Sequence, residues 1–350
     1  MGSTSRLHTL WYQDIPLPAD EPDATPIFQT WHEFDDTKER WGPIDAARAT
    51  SSLGDRQKTA VQDSLVLVTW NVNASSPLPI LRMSAIISRI LSLTPAVDII
   101  FFQEVSRAAL SVMLNDARIR QHWFLSEVDA ANWGGHLFTS VTLLSKARFA
   151  HPMGSSETAT LGPVWRVKYP SRFGREALCC DIFIPSPSPS PSPASAALGT
   201  PNACFRLVNV HLDSLPAHPS RRPRQISIVA SLLRSAGRGV VAGDFNPVLP
   251  EDETLVQDNG LVDAWVELRH REPGFTWGID GKQRFPPSRL DKVATVGLKV
   301  QDIEVLHPES VTKPGKPEKV RSTDLPGHEQ EYEQVPWSDH SGLRCSFKKD

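Results

Sequence analysis

From Leu65 onward the chain breaks into apolar runs of strand length separated by stretches with helical spacing, and this alternation leaves few folds open. The runs read "LVLVTW", "VDIIFFQEV", "LFTSVTLLS", "EALCCDIFI", "CFRLVNVHL", "GVVAGDFN", "RLDKVATVG", "VQDIEVL" and "SGLRCSF". Between them, Met83, Ile87, Ile90, Leu91 and Thr94 share one helical face that Pro95 terminates, and Leu110, Met113 and Leu114 mark a second helix. A third carries Ile226, Val229, Ala230 and Leu233 on one face and ends at Gly237. The expected fold is α/β: a four-layer α/β sandwich of two packed, largely antiparallel sheets flanked by helices.

A chain of 350 residues with 40% hydrophobic content can bury a full core as one large domain, or one domain with an arm. Residues 1–62 read as that arm: they are rich in proline and acidic residues, and Trp11, Trp31 and Trp41 are its candidate anchors. Residues 63–350 form the expected catalytic domain. Ser/Pro alternation at 185–200 can neither bury a core nor make ladder bonds, so this part reads as an extended surface loop. No run of 18 apolar residues exists to cross a membrane. The opening segment lacks the pattern of a secretory signal, so the expectation is an intracellular protein of nucleus or cytoplasm, acting as a monomer. Cys179, Cys180, Cys204 and Cys345 show no metal-ligand spacing and read as free thiols. A net charge of −3 gives no global attraction to nucleic acid, although a local basic groove is compatible with it.

The strands end oddly. Asn71 closes the first run, Glu104 the second, His211, Asp213 and Ser214 a later one, and Asp244 and Asn246 follow "VVAG". Asp291 lies inside "RLDKV", and Asp339 with His340 precedes the last strand. A single carboxylate there is commonly a turn or helix cap, and a single histidine is commonly a satisfied core residue. The ends of stacked sheets converge on one rim, however, and a rim built of Asn, Glu, Asp and His suits one chemistry. Hard divalent cations take oxygen ligands, which fits Mg²⁺, with Mn²⁺ as a substitute, at Glu104 and the nearby amides. Phosphodiester hydrolysis then needs a positioned water, for which Asp244 is the base, and donors to the phosphate, for which His211, Asn246 and His340 serve. Asp291 is the carboxylate that would hold the His340 ring.

The ordered motifs "TWN", "QEV", "NVHLDS", "GDFN", "RLD" and "SDH" resemble the endonuclease/exonuclease/phosphatase superfamily over residues 64–348. Within it, "YPSRFGREALCCDI", "RQISIVASLL" and "FTW" ahead of "RLDKV" look like the branch that hydrolyses 5′-phosphotyrosyl DNA. The resemblance implies Mg²⁺ at Asn71 and Glu104, with Asp339 beside it, and water and phosphate at Asp244 and Asn246. It implies phosphate contacts from His211 and Ser214, transition-state stabilisation by His340 backed by Asp291, and base stacking on Trp277. Arg221 and Arg222 are candidate DNA contacts, with Arg224, Arg172 and Arg175 as further basic residues nearby. The chain departs from that branch at Asn73, where an Asp is usual, and at "GDFN" in place of "GDTN". The implied activity is a Mg²⁺-dependent phosphodiesterase at DNA ends. Abasic DNA, RNA or a small phosphorylated compound are alternative substrates, and a weakened nucleic-acid or protein binding module is the alternative of another class.

Overall fold

A computed structural model describes residues 15–44, 64–150, 159–184, 203–314 and 332–348. The Ser/Pro loop and Trp11 lie outside the described residues. Two eight-stranded sheets stack face to face. The first runs Pro26–Gln29, Ala159–Lys168, Glu176–Ile184, Ala203–His211, Gly239–Asp244, Asp291–Val296 and Val262–Asp263, with Phe149–Ala150 pairing beside its second strand. The second runs Lys299–Leu306, Gly342–Lys348, Ser64–Asn71, Ile99–Ser106, Phe138–Ser145, Trp123–Leu125, His32–Asp35 and Arg40–Pro43. Leu67, Phe101, Leu178, Leu207 and Phe347 pack between the sheets. The helices Pro79–Leu91 and Arg107–Asn115 cover the outer face of the second sheet through Met83, Ile87 and Met113, and Arg222–Ala236 covers the first through Ile226, Val229 and Leu233. The architecture is therefore the expected four-layer sandwich.

At the centre of each sheet lies a parallel pair, and these two central pairs build the rim. Ser64–Asn71 runs parallel to Ile99–Ser106, and Ala203–His211 parallel to Gly239–Asp244. Parallel neighbours need a crossover, supplied by Pro79–Leu91 in one sheet and Arg222–Ala236 in the other. The carboxyl ends of all four strands thus point to the same edge, where Asn71, Glu104, His211 and Asp244 sit.

Several elements differ from the sequence expectation. The first helix ends at Leu91, capped through Ser92, so Thr94 lies beyond it. Ala159–Lys168 is a ten-residue strand through Gly162 and Pro163, residues that read as breakers in sequence. Its neighbour carries a register shift between Cys180 and Ile182, so the missing proline donor falls at an irregularity of the ladder. Residues of the arm join both sheets: Pro26–Gln29 pairs with Ala159–Lys168, and His32–Asp35 pairs with Trp123–Leu125. Trp31, only 1% exposed, sits between the sheets and donates its indole N–H to Gly162 O at 3.0 Å. Trp41 donates to Leu114 O at 3.1 Å. All four cysteines are free, and among the described residues no helix is long and apolar enough to cross a membrane.

Candidate active site

Backbone strain marks the rim. Glu104 has φ 56°, Asn73 51° and Asn246 45°, values that residues with a Cβ rarely adopt. Glu104 falls in a bulge, because pairing with Phe138–Ser145 shifts register between Phe102 and Val105. The bulge turns Gln103 into the sandwich, where its amide bonds Asn209 at 2.8 Å and Thr69 at 3.0 Å, and carries the Glu104 carboxylate to the rim. Just before Asp244, Gly243 has φ 142°, and a Cβ there would stand 1.9 Å from Val210 O. Only glycine lets the two parallel strands that bear His211 and Asp244 approach so closely.

Asn71 ties the two sheets together chemically. Its side-chain amide donates to Glu104 Oε1 at 3.2 Å and to Asp244 Oδ2 at 3.0 Å. Its own Oδ1 accepts the Asn73 backbone N–H at 3.0 Å. Glu104 Oε2 accepts the Ala74 N–H at 3.0 Å, and Asp244 Oδ1 accepts the Asn246 N–H at 3.0 Å. The Asn246 side chain donates to Leu212 O at 3.3 Å. His340 Nδ1 and Asp291 Oδ2 are 2.8 Å apart, and His340 Nε2 reaches to 4.0 Å from Asp244 Oδ2. His211 Nε2 lies 3.4 Å from Asp244 Oδ2 and 3.9 Å from Glu104 Oε1, yet it is buried with no hydrogen-bond partner. A buried ring nitrogen left unsatisfied at such a rim is positioned for a ligand oxygen.

The two histidines are driven apart electrostatically. Burial, then the charges of Arg175 and His340, hold His211 well below the usual imidazole range, so its ring is neutral. Burial also opposes charge on His340, but Asp291 and Asp244 outweigh it and raise its pKa to about 10. Asp244 itself is pushed up to about 7, chiefly by burial, with Asp291 and Glu104 adding to the rise against the pull of His340 and Asn71. One rim therefore holds a neutral imidazole, an imidazolium and a carboxylate poised near neutrality.

The donor set fits a hard cation. Glu104 and Asp339 bring carboxylate oxygens and Asn71 an amide oxygen, which here accepts the Asn73 N–H while the amide nitrogen faces Glu104 and Asp244, and no thiolate lies among them. Asp244, Asp291 and His340 also bring ligand-type atoms within 4.8 Å of one another. There, however, the ring nitrogen facing Asp291 is committed to that carboxylate and the ring is protonated, which suits an ion pair rather than a metal ligand.

The remaining expected residues divide. Asp339 is held by the Asn73 amide at 2.7 Å and by the Trp277 indole at 3.2 Å, so both stand at the rim, with Trp277 half-buried. An Asp at position 73 could not make the first of these bonds. Ser214 is half-buried and accepts from Arg175 at 3.0 Å. Arg221 is exposed at the start of its helix. Arg222 corrects the expectation of a DNA contact: it is 1% exposed, pairs with Asp252 at 2.7 Å and donates to the Asp213 and Leu215 carbonyls. Arg224 points away from the rim, to Glu21 and Asp23.

Arg175 emerges as more than a background basic residue. Its guanidinium lies 5.0 Å over Phe138 and 5.9 Å over Phe173, within the field of Glu104 and Asp244, which counter the effect of its burial. Asp213 anchors this loop, accepting the Ser171 hydroxyl and the Arg172 N–H. Trp133, His136, Phe138, Phe173, Arg175 and His211 line a cleft of about 330 Å³. Across the rim the order is cleft, then His211, Asp244, Asp291 and His340, then Trp277.

Comparison with known proteins agrees with this architecture. The model described as "Endonuclease/Exonuclease/phosphatase family" matches residues 68–340. No curated protein matches. Among solved structures, D. rerio TDP2 complexed with single-strand DNA product is 17% identical, with a TM-score of 0.56, over 82% of this chain and all of that one. Truncated Caenorhabditis elegans TDP2 is 18% identical with a TM-score of 0.55, covering 82% of this chain and 98% of that one. A family protein from Bacteroides thetaiotaomicron is 14% identical with a TM-score of 0.55, again over 82% and 98%.

Proposed function

Because the chain belongs to the endonuclease/exonuclease/phosphatase family and is accordingly a metal-dependent phosphodiesterase, we propose that it is Mg²⁺-dependent and acts at DNA 5′ ends, with 5′-phosphotyrosyl DNA as its favoured substrate. The observation that carries this reading is the cleft beside His211. It is lined by Phe138 and Phe173 with the Arg175 guanidinium between them, and it lies on the opposite side of the phosphate donors from Trp277. An aromatic-walled cleft with a cation suits an aryl leaving group, and a half-buried indole on the far side suits a nucleobase.

In this mechanism Glu104 and Asn71 would hold the Mg²⁺, which when bound neutralises charge on the phosphate oxygens; Mn²⁺ is a chemically similar substitute. Asp244 orients the attacking water and takes its proton, and a pKa near 7 equips it for that task. The His340 imidazolium, kept charged by Asp291, donates to a nonbridging oxygen as negative charge accumulates in the transition state. His211 Nε2 and the Asn246 amide donate to the remaining oxygens. The departing phenolate, with a pKa near 10, leaves without a strong general acid.

The test is a rate panel with Mg²⁺ on 5′-tyrosyl single-stranded DNA, abasic duplex, RNA and inositol phosphates. Fastest turnover of the 5′-tyrosyl substrate is the expected result. Faster incision of abasic duplex would remove the substrate assignment and leave the catalytic roles standing.

A further inference from the structure

Behind the rim a buried cation faces only carbonyls. Arg82 lies in the opening turn of the helix Pro79–Leu91 and is 2% exposed. A cation in that turn opposes the helix dipole, so the helix gains nothing from its charge. All five guanidinium N–H groups are spent on backbone oxygens. Nε donates to Pro77 O at 2.9 Å, Nη1 to Val72 O at 2.9 Å and Trp337 O at 2.7 Å, and Nη2 to Val72 O at 3.2 Å and Asn73 O at 2.7 Å. No carboxylate among the described residues pairs with it; Asp339 and Glu104 are the anions whose charge counters its burial. A buried guanidinium without an ion-pair partner is costly, and what the carbonyls carry on their other side accounts for it.

A trans peptide unit points its C=O and its N–H in opposite directions. The unit joining Val72 to Asn73 gives its oxygen to Arg82 and its N–H to Asn71 Oδ1 at 3.0 Å. The next unit, joining Asn73 to Ala74, gives its oxygen to Arg82 and its N–H to Glu104 Oε2 at 3.0 Å. Two successive amide planes therefore run from one guanidinium to the two side chains placed at Mg²⁺. Asn73 between them has φ 51°, a strained conformation that the grip on both flanking carbonyls holds in place. The remaining bond at the rim ties in the facing loop. Trp337 O lies two residues before Asp339, whose Oδ1 accepts from the Asn73 amide at 2.7 Å.

We propose that Arg82 is a positioning residue of the metal site, acting through these two amide planes to set Asn71 and Glu104 and thereby the affinity for Mg²⁺. This rests on the Mg²⁺ reading and adds to it a residue that touches neither metal nor substrate. The role belongs to the planar fork rather than to the charge. By Coulomb's law alone a nearby cation repels Mg²⁺, so losing the charge would tighten binding, whereas losing the grip on the carbonyls weakens it. Lysine keeps the charge, but its compact ammonium cannot span the carbonyls of Val72, Asn73, Pro77 and Trp337.

The experiment measures Mg²⁺ binding to the full chain by titration calorimetry, without substrate, in the parent, Arg82→Lys and Arg82→Met. The dissociation constant should rise by about tenfold or more in both variants, the range for losing a group that orients metal ligands. The Mg²⁺ concentration for half-maximal hydrolysis should rise in step. Parent affinity in Arg82→Lys with only the unfolding midpoint lowered would make Arg82 structural and overturn the proposal, as would tighter binding in Arg82→Met. Should both variants unfold, hydrogen exchange in the parent gives a second readout. Mg²⁺ should slow exchange of the Arg82 Nε–H more than that of Arg206, which is bonded to Asp181 at 2.8 Å at the far end of its strand from His211. Equal slowing of the two would reflect global stabilisation alone and overturn the positioning role while leaving the metal reading in place. If the parent binds no Mg²⁺, both fall together.

Discussion

At the scale of single residues, the site works because each side chain has its partners fixed before substrate arrives. Glu104 is held through both oxygens, by Asn71 and by the Ala74 N–H. Glu104→Gln keeps the side chain's shape but removes its charge, so Mg²⁺-dependent kcat should drop on the order of 100-fold or more while circular dichroism stays unchanged. Turnover near the parent rate at saturating Mg²⁺ would refute the metal role. The His340 pair predicts a pH signature. A histidine raised from 6.5 to about 10 in the fold stabilises it fully below pH 6.5 and loses that contribution as pH rises through about 10. Asp291→Asn should therefore lower stability most at neutral and acidic pH and flatten its fall on the alkaline side, as read from urea unfolding at a series of pH values. Most of this constellation was legible in sequence because polar residues at strand ends stand out against apolar runs. The burial of Arg222 follows from helical periodicity. Arg222 falls four residues before Ile226 and seven before Val229, on the apolar face of its own helix, and is buried accordingly. Arg175 gave no such signal, since its place is set by Phe138 and Ser214, distant in the chain, as well as by Phe173.

At the scale of elements, the long apolar strands were the legible part, and their parallel pairing and the short arm strands were not. Apolar runs announced the central strands, whereas Ala159–Lys168 hid behind Gly162 and Pro163, and the short arm strands lacked apolar length. What defines those arm strands is the pair of sheet edges they cover and the socket that receives Trp31, neither of which is local in sequence. Trp31→Ala should accordingly cost about 3–5 kcal/mol, the range for truncating a large buried aromatic, measured by chemical denaturation. A loss below about 1 kcal/mol would show that the arm is dispensable to the fold. The Ser/Pro segment predicts the opposite. Ile184 and Ala203 are already paired at its two ends, so residues 186–200 close a hairpin. Replacing them with a short Gly/Ser turn should change stability by less than about 1 kcal/mol, because closure entropy varies slowly with length, and leave kcat/KM near the parent value.

At the scale of the whole molecule, the sandwich arranges the substrate in halves. Arg175, Phe138 and Phe173 stand beyond His211 at one end of the rim, and Trp277 stands beyond His340 at the other. The phosphate donors occupy the middle, contributed by strands of both sheets. Such a layout separates recognition of the leaving group from recognition of the strand. Trp277→Ala should reduce kcat/KM on a 5′-tyrosyl oligonucleotide by roughly 1–3 kcal/mol, the worth of one lost base stack, and change a small aryl phosphodiester little. Arg175→Ala should weaken both substrates, because the aryl group is common to them. Arg175 bonds Ser214 and covers Phe138 and Phe173, whereas Trp277 bonds Asp339. With no shared partner, the two losses should add in the double variant to within about 0.5 kcal/mol on the oligonucleotide. Marked non-additivity would mean that the halves communicate, for which Asp339, bonded to both Trp277 and Asn73, is the available link. Equal losses on both substrates in Trp277→Ala would instead mean that the indole serves to orient Asp339 rather than to stack a base.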